Sequence, residues 1–116
     1  MRVLEIGCGP GAAARAVAER IGEGHVLGID RSARAIAQAR AGTRDPRVTF
    51  CEVAVEDFEL AGEAPFDLAF AFRVGALDGR HPELEARAKA RIAAALRPGG
   101  RLWIDGGDPL REIGLP

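Results

Sequence analysis

The sequence holds little that would staple, anchor or strongly charge it. Cys8 and Cys51 are the two cysteines in 116 residues, too few and too far apart to make a metal site, so reduced thiols in a cytoplasmic protein are the expectation. There is no long apolar run and no signal-peptide pattern at the start, which leaves no membrane partner to expect. Lys89 is the single lysine; the arginine and alanine bias reads as the base composition of a G- and C-rich genome. Sixteen basic residues against 17 acidic ones give a formal charge of -1, so bulk electrostatics recruit neither nucleic acid nor an anionic membrane. No internal repeat, low-complexity stretch or linker interrupts the chain. One domain over residues 1–116 is expected, able to bury about two-thirds of its unfolded surface. Hydrophobic residues at 47% and charged residues at 28% are ordinary for a globular domain.

What is present alternates between two periods. Residues 2–6 form an apolar run, entered through Arg2 and interrupted only by Glu5, as a buried parallel strand requires. Ala14, Val17, Ala18 and Ile21 then recur at helical spacing, and Gly22 and Gly24 close that helix. His25 to Ile29 form a second strand ending at Asp30. Ser32 caps a helix that turns Ile36 and Ala37 inward and stops at Gly42. Asp45-Pro46 leads into a third strand, Val48 to Val53, and a loop with Gly62 and Pro65 leads into a fourth, Phe66 to Phe72. From Pro82, Leu84, Ala88, Ile92 and Ala95 mark one helix face, with Glu83–Arg87 and Glu85–Lys89 as i,i+4 pairs. Arg97-Pro98-Gly99-Gly100 fits a type II turn, and Arg101 to Asp105 make a fifth strand. Gly106 to Pro116 show no strong periodicity. Strands and helices in this order imply a parallel sheet with helices on both faces.

In such a sheet, ligands bind beyond the carboxyl ends of the strands, where the strand order reverses. Gly7, Gly9 and Gly11 fall there, between the first strand and the first helix. Glycine tolerates positive φ and lets backbone approach a ligand closely, and the helix N-terminus adds free N–H groups. Asp30 ends the second strand about 20 residues further on, where a carboxylate can accept both hydroxyls of a ribose. A nucleoside-containing ligand follows. Gly7-x-Gly9-x-x-Ala12 also satisfies the looser dinucleotide fingerprint, so the loop alone leaves a nicotinamide cofactor and S-adenosylmethionine both open. A nucleophilic Cys8 would need a base, and no histidine is placed locally to supply one.

The ordered set of motifs separates the two. Val3-Leu4-Glu5-Ile6-Gly7-Cys8-Gly9-Pro10-Gly11 closely resembles the first motif of class I S-adenosylmethionine-dependent methyltransferases, with the acid two places before the first glycine. Gly28-Ile29-Asp30 looks like their second motif, and Val55-Glu56-Asp57-Phe58 is similar to their adenine-side loop. Phe66-Asp67-Leu68, then Leu96-Arg97-Pro98-Gly99-Gly100-Arg101-Leu102, resemble the fourth strand and the helix-turn-strand that follows. The resemblance covers residues 2 to about 105. It implies an α/β, Rossmann-like three-layer sandwich, mostly parallel, with strand order 3-2-1-4-5. It also implies S-adenosylmethionine as cofactor and S-adenosylhomocysteine as product. Position by position, the backbone from Gly7 through Cys8 and Gly9 to Gly11 would hold the methionine part. Glu5 would lie beneath it, stabilising the loop and the ammonium. Asp30 would take the ribose hydroxyls, with Arg31 packing near the adenine. Asp57, in competition with Glu56, would accept from the adenine amino group, while the Phe58 N–H would reach a ring nitrogen. Phe72 and Arg73 would lie nearest the sulfonium and the acceptor.

The acceptor is less legible. The asparagine-proline-proline-aromatic signature of amino-methylating nucleic-acid enzymes is absent, with Phe70-Ala71-Phe72-Arg73 in its place. The acidic run Glu52, Glu56, Asp57, Glu59, Glu63, Asp67, without a basic residue, reads as a solvated face that opposes a nucleic-acid substrate. A small-molecule acceptor is therefore expected. His81 could act as a general base but also suits a helix-entry position before Pro82. Compared with the family, the chain starts directly on the first strand and ends soon after the fifth, without the usual last two strands. Two expectations follow: an open sheet edge that a second copy would cover, and, as the rival to a small-molecule methyltransferase, a cofactor-binding module without catalysis of its own.

Overall fold

Three apolar side chains on the two faces of one strand fix the middle of the molecule. In β1 (Arg2–Ile6), Val3, Leu4 and Ile6 are all buried, which only a strand covered on both sides permits. β1 pairs in parallel with β2 (His25–Asp30) on one side and with β4 (Phe66–Ala71) on the other. β3 (Val48–Glu52) continues the sheet beyond β2, and β5 (Leu96–Asp105) beyond β4. The order is therefore β3-β2-β1-β4-β5, as expected, with one further strand, β6 (Leu110–Ile113), beyond β5. The computed structural model describes residues 1–72, 74–105, 107 and 110–116.

Alternation along the strands sends each face to a different helical layer. Val3, Val26, Phe50 and Phe70 pack against α1 (Ala12–Ile21) and α2 (Ala33–Ala41). Leu4, Ile29, Ala69 and Leu102 pack against α3 (Pro82–Ala95). α1 buries Ala14 and Ala18 fully, with Val17 and Ile21 partly buried. α2 is capped as expected, Ser32 Oγ accepting from the Ala35 amide at 3.1 Å. Its buried partner to Ile36 is Ala39, however, not Ala37; three residues on returns to the same helix face, whereas one residue on points about 100° away. α3 inserts Ala88, Ile92 and Ala95 as its apolar spacing requires.

Two features differ from the sequence reading. First, β5 begins at Leu96, directly after α3, and carries the Arg97–Gly100 turn as a bulge. Phe66 lies opposite Leu96 and Leu68 opposite Arg101, and Gly99, at φ +83°, occupies the turn position that demands a left-handed residue. Second, the edge of β5 is paired. Leu102 faces Ile113 and Trp103 faces Glu112 in an antiparallel ladder with β6, so the expectation of a bare β5 edge is corrected. β6 has only four residues, three of them exposed, so it lacks the polar–apolar contrast that marks a strand in sequence. Its Arg111 and Glu112 are charges of the kind that keep an edge strand from pairing further.

The acidic run is not simply solvated either. Asp57 pairs with Arg87 at 3.0 Å, Glu59 with Arg91, Asp67 with Arg97 and Glu63 with Arg2. Arg87 thereby faces Asp57, and of the two helical pairs expected in α3 the one formed is Glu85–Lys89, at 3.6 Å. Among the described residues, no helix is long and apolar enough to cross a membrane.

Candidate functional site

The chain runs from β1 outward to β2 and β3 on one side and then crosses back to β4 on the other, which makes the carboxyl end of β1 the switch point of the sheet. A cleft of 420 Å³ opens there, within the size range of small-molecule sites. It brings together Gly7 after β1, Asp30 and Arg31 after β2, Glu56 in the short 3-10 turn after β3, and Phe72 after β4. Ile6, Ile29, Val55 and Leu84 give it apolar walls.

The glycine loop is held by backbone hydrogen bonds and by one side chain. The Cys8 amide donates to the Ile29 carbonyl at 2.9 Å, and the Gly11 amide to the Cys8 carbonyl at 3.1 Å. Asp30 then clasps the loop to the next helix. Its Oδ2 accepts from the Gly9 amide and its Oδ1 from the Ser32 amide, both at 2.9 Å. A carboxylate has roughly four lone-pair positions, so two bonds leave capacity for a ligand's hydroxyls. Gly11 caps α1 in the left-handed region at φ +88°, and a Cβ there would come within 2.7 Å of the Phe50 ring. At Gly9, by contrast, a Cβ would meet nothing within 4 Å; open space lies where a ligand can approach the backbone.

Among the described residues, Glu5 is the one buried charged side chain, at 3% exposure. It points to the α1 side of the sheet, beneath the glycine loop, and its Oε1 has no hydrogen-bond partner. Burial pushes its carboxyl from 4.5 up to about 7, partly offset by the Ala14 backbone amide, while Asp30 adds a smaller push upward. An orphaned acid in a core is costly, and a ligand carrying positive charge would relieve that cost. Cys8 is buried as well. Burial, then the charges of Glu5 and Asp30, push its thiol up to about 12, so it is protonated and packed, not poised for attack.

The structure places the other sequence-selected residues unevenly. Glu56 lines the cleft, whereas Asp57 turns away to Arg87. Phe58 is buried in the α3-side core and its N–H donates to the Val55 carbonyl at 3.2 Å. Phe72 is 40% exposed, its ring 5.5 Å from that of Phe70. Arg73 lies outside the described residues. His81 does reach the cleft wall, together with Arg80. The cleft also uses Val53 and Ala54 after β3 and Val74, Gly75 and Ala76 after β4. Nothing in their side chains announces this; only their position just past strand ends could have found them.

Strand order, switch-point cleft, glycine loop and strand-end acid together define a Rossmann-like protein built to hold a nucleoside-bearing ligand. A family model described as a methyltransferase domain matches residues 3–100. The trans-aconitate 2-methyltransferase of Methylobacterium nodulans is 37% identical over 111 residues, 96% of this chain and 40% of that protein. The ribosomal protein L11 methyltransferase of Dechloromonas aromatica is 39% identical over 106 residues, 90% of this chain and 31% of that protein. Among solved structures, an S-adenosylmethionine-dependent methyltransferase from Mesorhizobium loti superposes with a TM-score of 0.72 at 32% identity, over 89% of this chain and 45% of that one. The chain belongs to the class I S-adenosylmethionine-dependent methyltransferase family. It spans less than half the length of each of these relatives.

Proposed function

We propose that this chain binds S-adenosylmethionine in the switch-point cleft and transfers its methyl group to a small-molecule acceptor. The observation that carries this reading is the donor and acceptor set of the cleft. Asp30 has free acceptor capacity at the end of β2, Glu56 stands beside it after β3, and apolar side chains lie between. That set fits a ribose, an adenine amino group and a flat ring. The orphaned Glu5 carboxylate beneath the loop fits an ammonium. In this assignment the Gly7–Gly11 backbone, Cys8 and Gly9 included, follows the methionine part, Arg31 flanks the adenine, and Phe72 closes the side nearest the methyl group. The family's adenine-side acid is Glu56 by position in the cleft, with Asp57 and Phe58 supporting the wall from behind. Once bound, the cofactor supplies an electrophilic methyl group on a sulfonium. The chain's own work is to align the acceptor and exclude water.

The relatives' names point to different acceptors, so trans-aconitate is the first to try because of the relative that carries that name. Calorimetric titration of S-adenosylhomocysteine tests the cofactor reading. Asp30→Ala should weaken binding by about 1–3 kcal/mol through the lost charged hydrogen bonds; unchanged affinity would remove the ribose role. NADH should not bind. Binding of the sulfur ligand without methyl transfer to trans-aconitate or to a metabolite extract, read by mass spectrometry, would assign the chain as a cofactor-binding module instead.

A further inference from the structure

A second cavity, of 320 Å³, adjoins the cofactor cleft at the carboxyl ends of β4 and β5 and shares Val74 and Arg80 with it. Its floor is apolar, made by Ala71, Val74, Leu77 and Ile104. Its rim carries four charged groups: Asp78, Arg80, Asp105 and Arg111. Three of them are committed. Arg80 Nε and Nη2 both engage Asp78 Oδ2, at 2.7 and 2.6 Å, and the Arg80 amide takes Asp78 Oδ1. That contact holds the Asp78 carboxyl below its usual range. Asp105 also has an interaction partner. Arg111, opposite Ile104 on β6, has no hydrogen-bond or ion-pair partner among the described residues, although six of the described acids pair with arginines outside this cavity.

We infer that this cavity is the acceptor subsite and that Arg111 reads a carboxylate of the acceptor, an assignment that rests on the methyl-transfer function proposed above. A guanidinium presents a planar fork of N–H donors matched to a carboxylate. Placed over an apolar floor and next to the cofactor cleft, it holds one carboxylate at the rim while the carbon skeleton lies on Leu77 and Ile104. The Asp78–Arg80 pair closes the opposite side as a neutral unit and repels no anion. The acceptor class is therefore a carboxylic acid, with its carboxylate on Arg111 and the methyl-accepting group directed towards Val74 and the cofactor cleft. The short strand β6, which the sequence did not announce, is what brings this arginine to the site.

The test is calorimetric binding of tricarballylate and of its uncharged trimethyl ester to the chain saturated with S-adenosylhomocysteine. The acid should bind and the ester should not. Arg111→Gln should lower affinity for the acid about tenfold or more, the scale of one lost charge-assisted hydrogen bond. Arg111→Lys, which keeps the charge but lacks the planar fork, should bind the acid more weakly than the wild type and more tightly than Arg111→Gln, a ranking that a folding defect would not produce. Arg101→Gln is the control, since Arg101 pairs with Glu112 away from this cavity. S-adenosylhomocysteine affinity should be the same in all variants. Equal binding of acid and ester, an unaffected Arg111→Gln, or no binding of the acid while S-adenosylhomocysteine binds would each overturn the Arg111 assignment alone. Failure of the wild-type chain to bind S-adenosylhomocysteine would instead overturn the methyl-transfer reading and the acceptor assignment with it.

Discussion

Replacing Glu5 by glutamine should make the ligand-free protein more stable above neutral pH while making it a poorer binder. The side chain is 3% exposed, with one oxygen unpartnered, and burial raises its carboxyl from 4.5 to about 7. Between those two pH values the native state holds a proton that the unfolded chain has released, so native stability falls as pH rises through this window. The displacement corresponds to about 3 kcal/mol, fully present as a penalty above about pH 8 and absent below about pH 4. Glutamine has the same shape and no charge, so this slope should vanish. An amide without a full set of partners costs about 1–2 kcal/mol in return, leaving a net gain of about 1–2 kcal/mol at pH 8, or roughly 5 °C in Tm for a domain of this size. Urea unfolding of both proteins at pH 5 and pH 8 measures this directly. Only the difference between the two proteins is read, which cancels other titrating groups such as His25, whose own value is lowered by burial. Parallel stability curves, or a variant no more stable than the wild type at pH 8, would refute the argument. In the same variant S-adenosylhomocysteine should bind about tenfold more weakly, since the cation then finds a dipole where it had a charge.

Two further outcomes follow from the loop around it. Gly11→Ala should destabilise by about 2–4 kcal/mol, combining a left-handed residue that now carries a Cβ with the close approach to the Phe50 ring; chemical denaturation at neutral pH checks this, and a loss below about 0.5 kcal/mol would contradict the strain. The two thiols should separate cleanly in a colorimetric thiol titration. Exposed Cys51 should react in the native protein, while buried Cys8, its thiol pushed up to about 12, should react only after unfolding.

How far the sequence could be read follows from how local each feature is. β1, the glycine loop, Asp30 and the Ser32 cap are set by neighbours within a few residues, and all lie where period and turn chemistry put them. The type II turn at Gly99 was legible for the same reason, although its incorporation into β5 depends on pairing with β4. The pairing of Asp57 is not legible, because its partner, Arg87, belongs to a helix 30 residues away, and no local pattern distinguishes it from Glu56. β6 escaped because it is stabilised by the ladder to Leu102 and Ile104 and not by its own composition. The walls contributed by Val53, Ala54 and Gly75 carry no chemical signature; their place in the cleft is a property of the sheet.

The position of β1 carries a consequence for how the molecule assembles. β1 precedes both its partners in the chain yet lies in the interior of the sheet, with Leu4 opposite Leu27 on one side and Ala69 on the other. Both pairings bridge long stretches of chain, and parallel pairing allows no hairpin shortcut. A nascent chain therefore carries β1, apolar but for Arg2 and Glu5, without its second partner until Phe66–Ala71 has left the ribosome. Such chains fold slowly, because loop closure must precede the contacts that reward it. During that interval the β1 backbone is the segment most exposed to pairing with another chain, so expression at low temperature or with a chaperone should raise the folded yield more than any surface substitution.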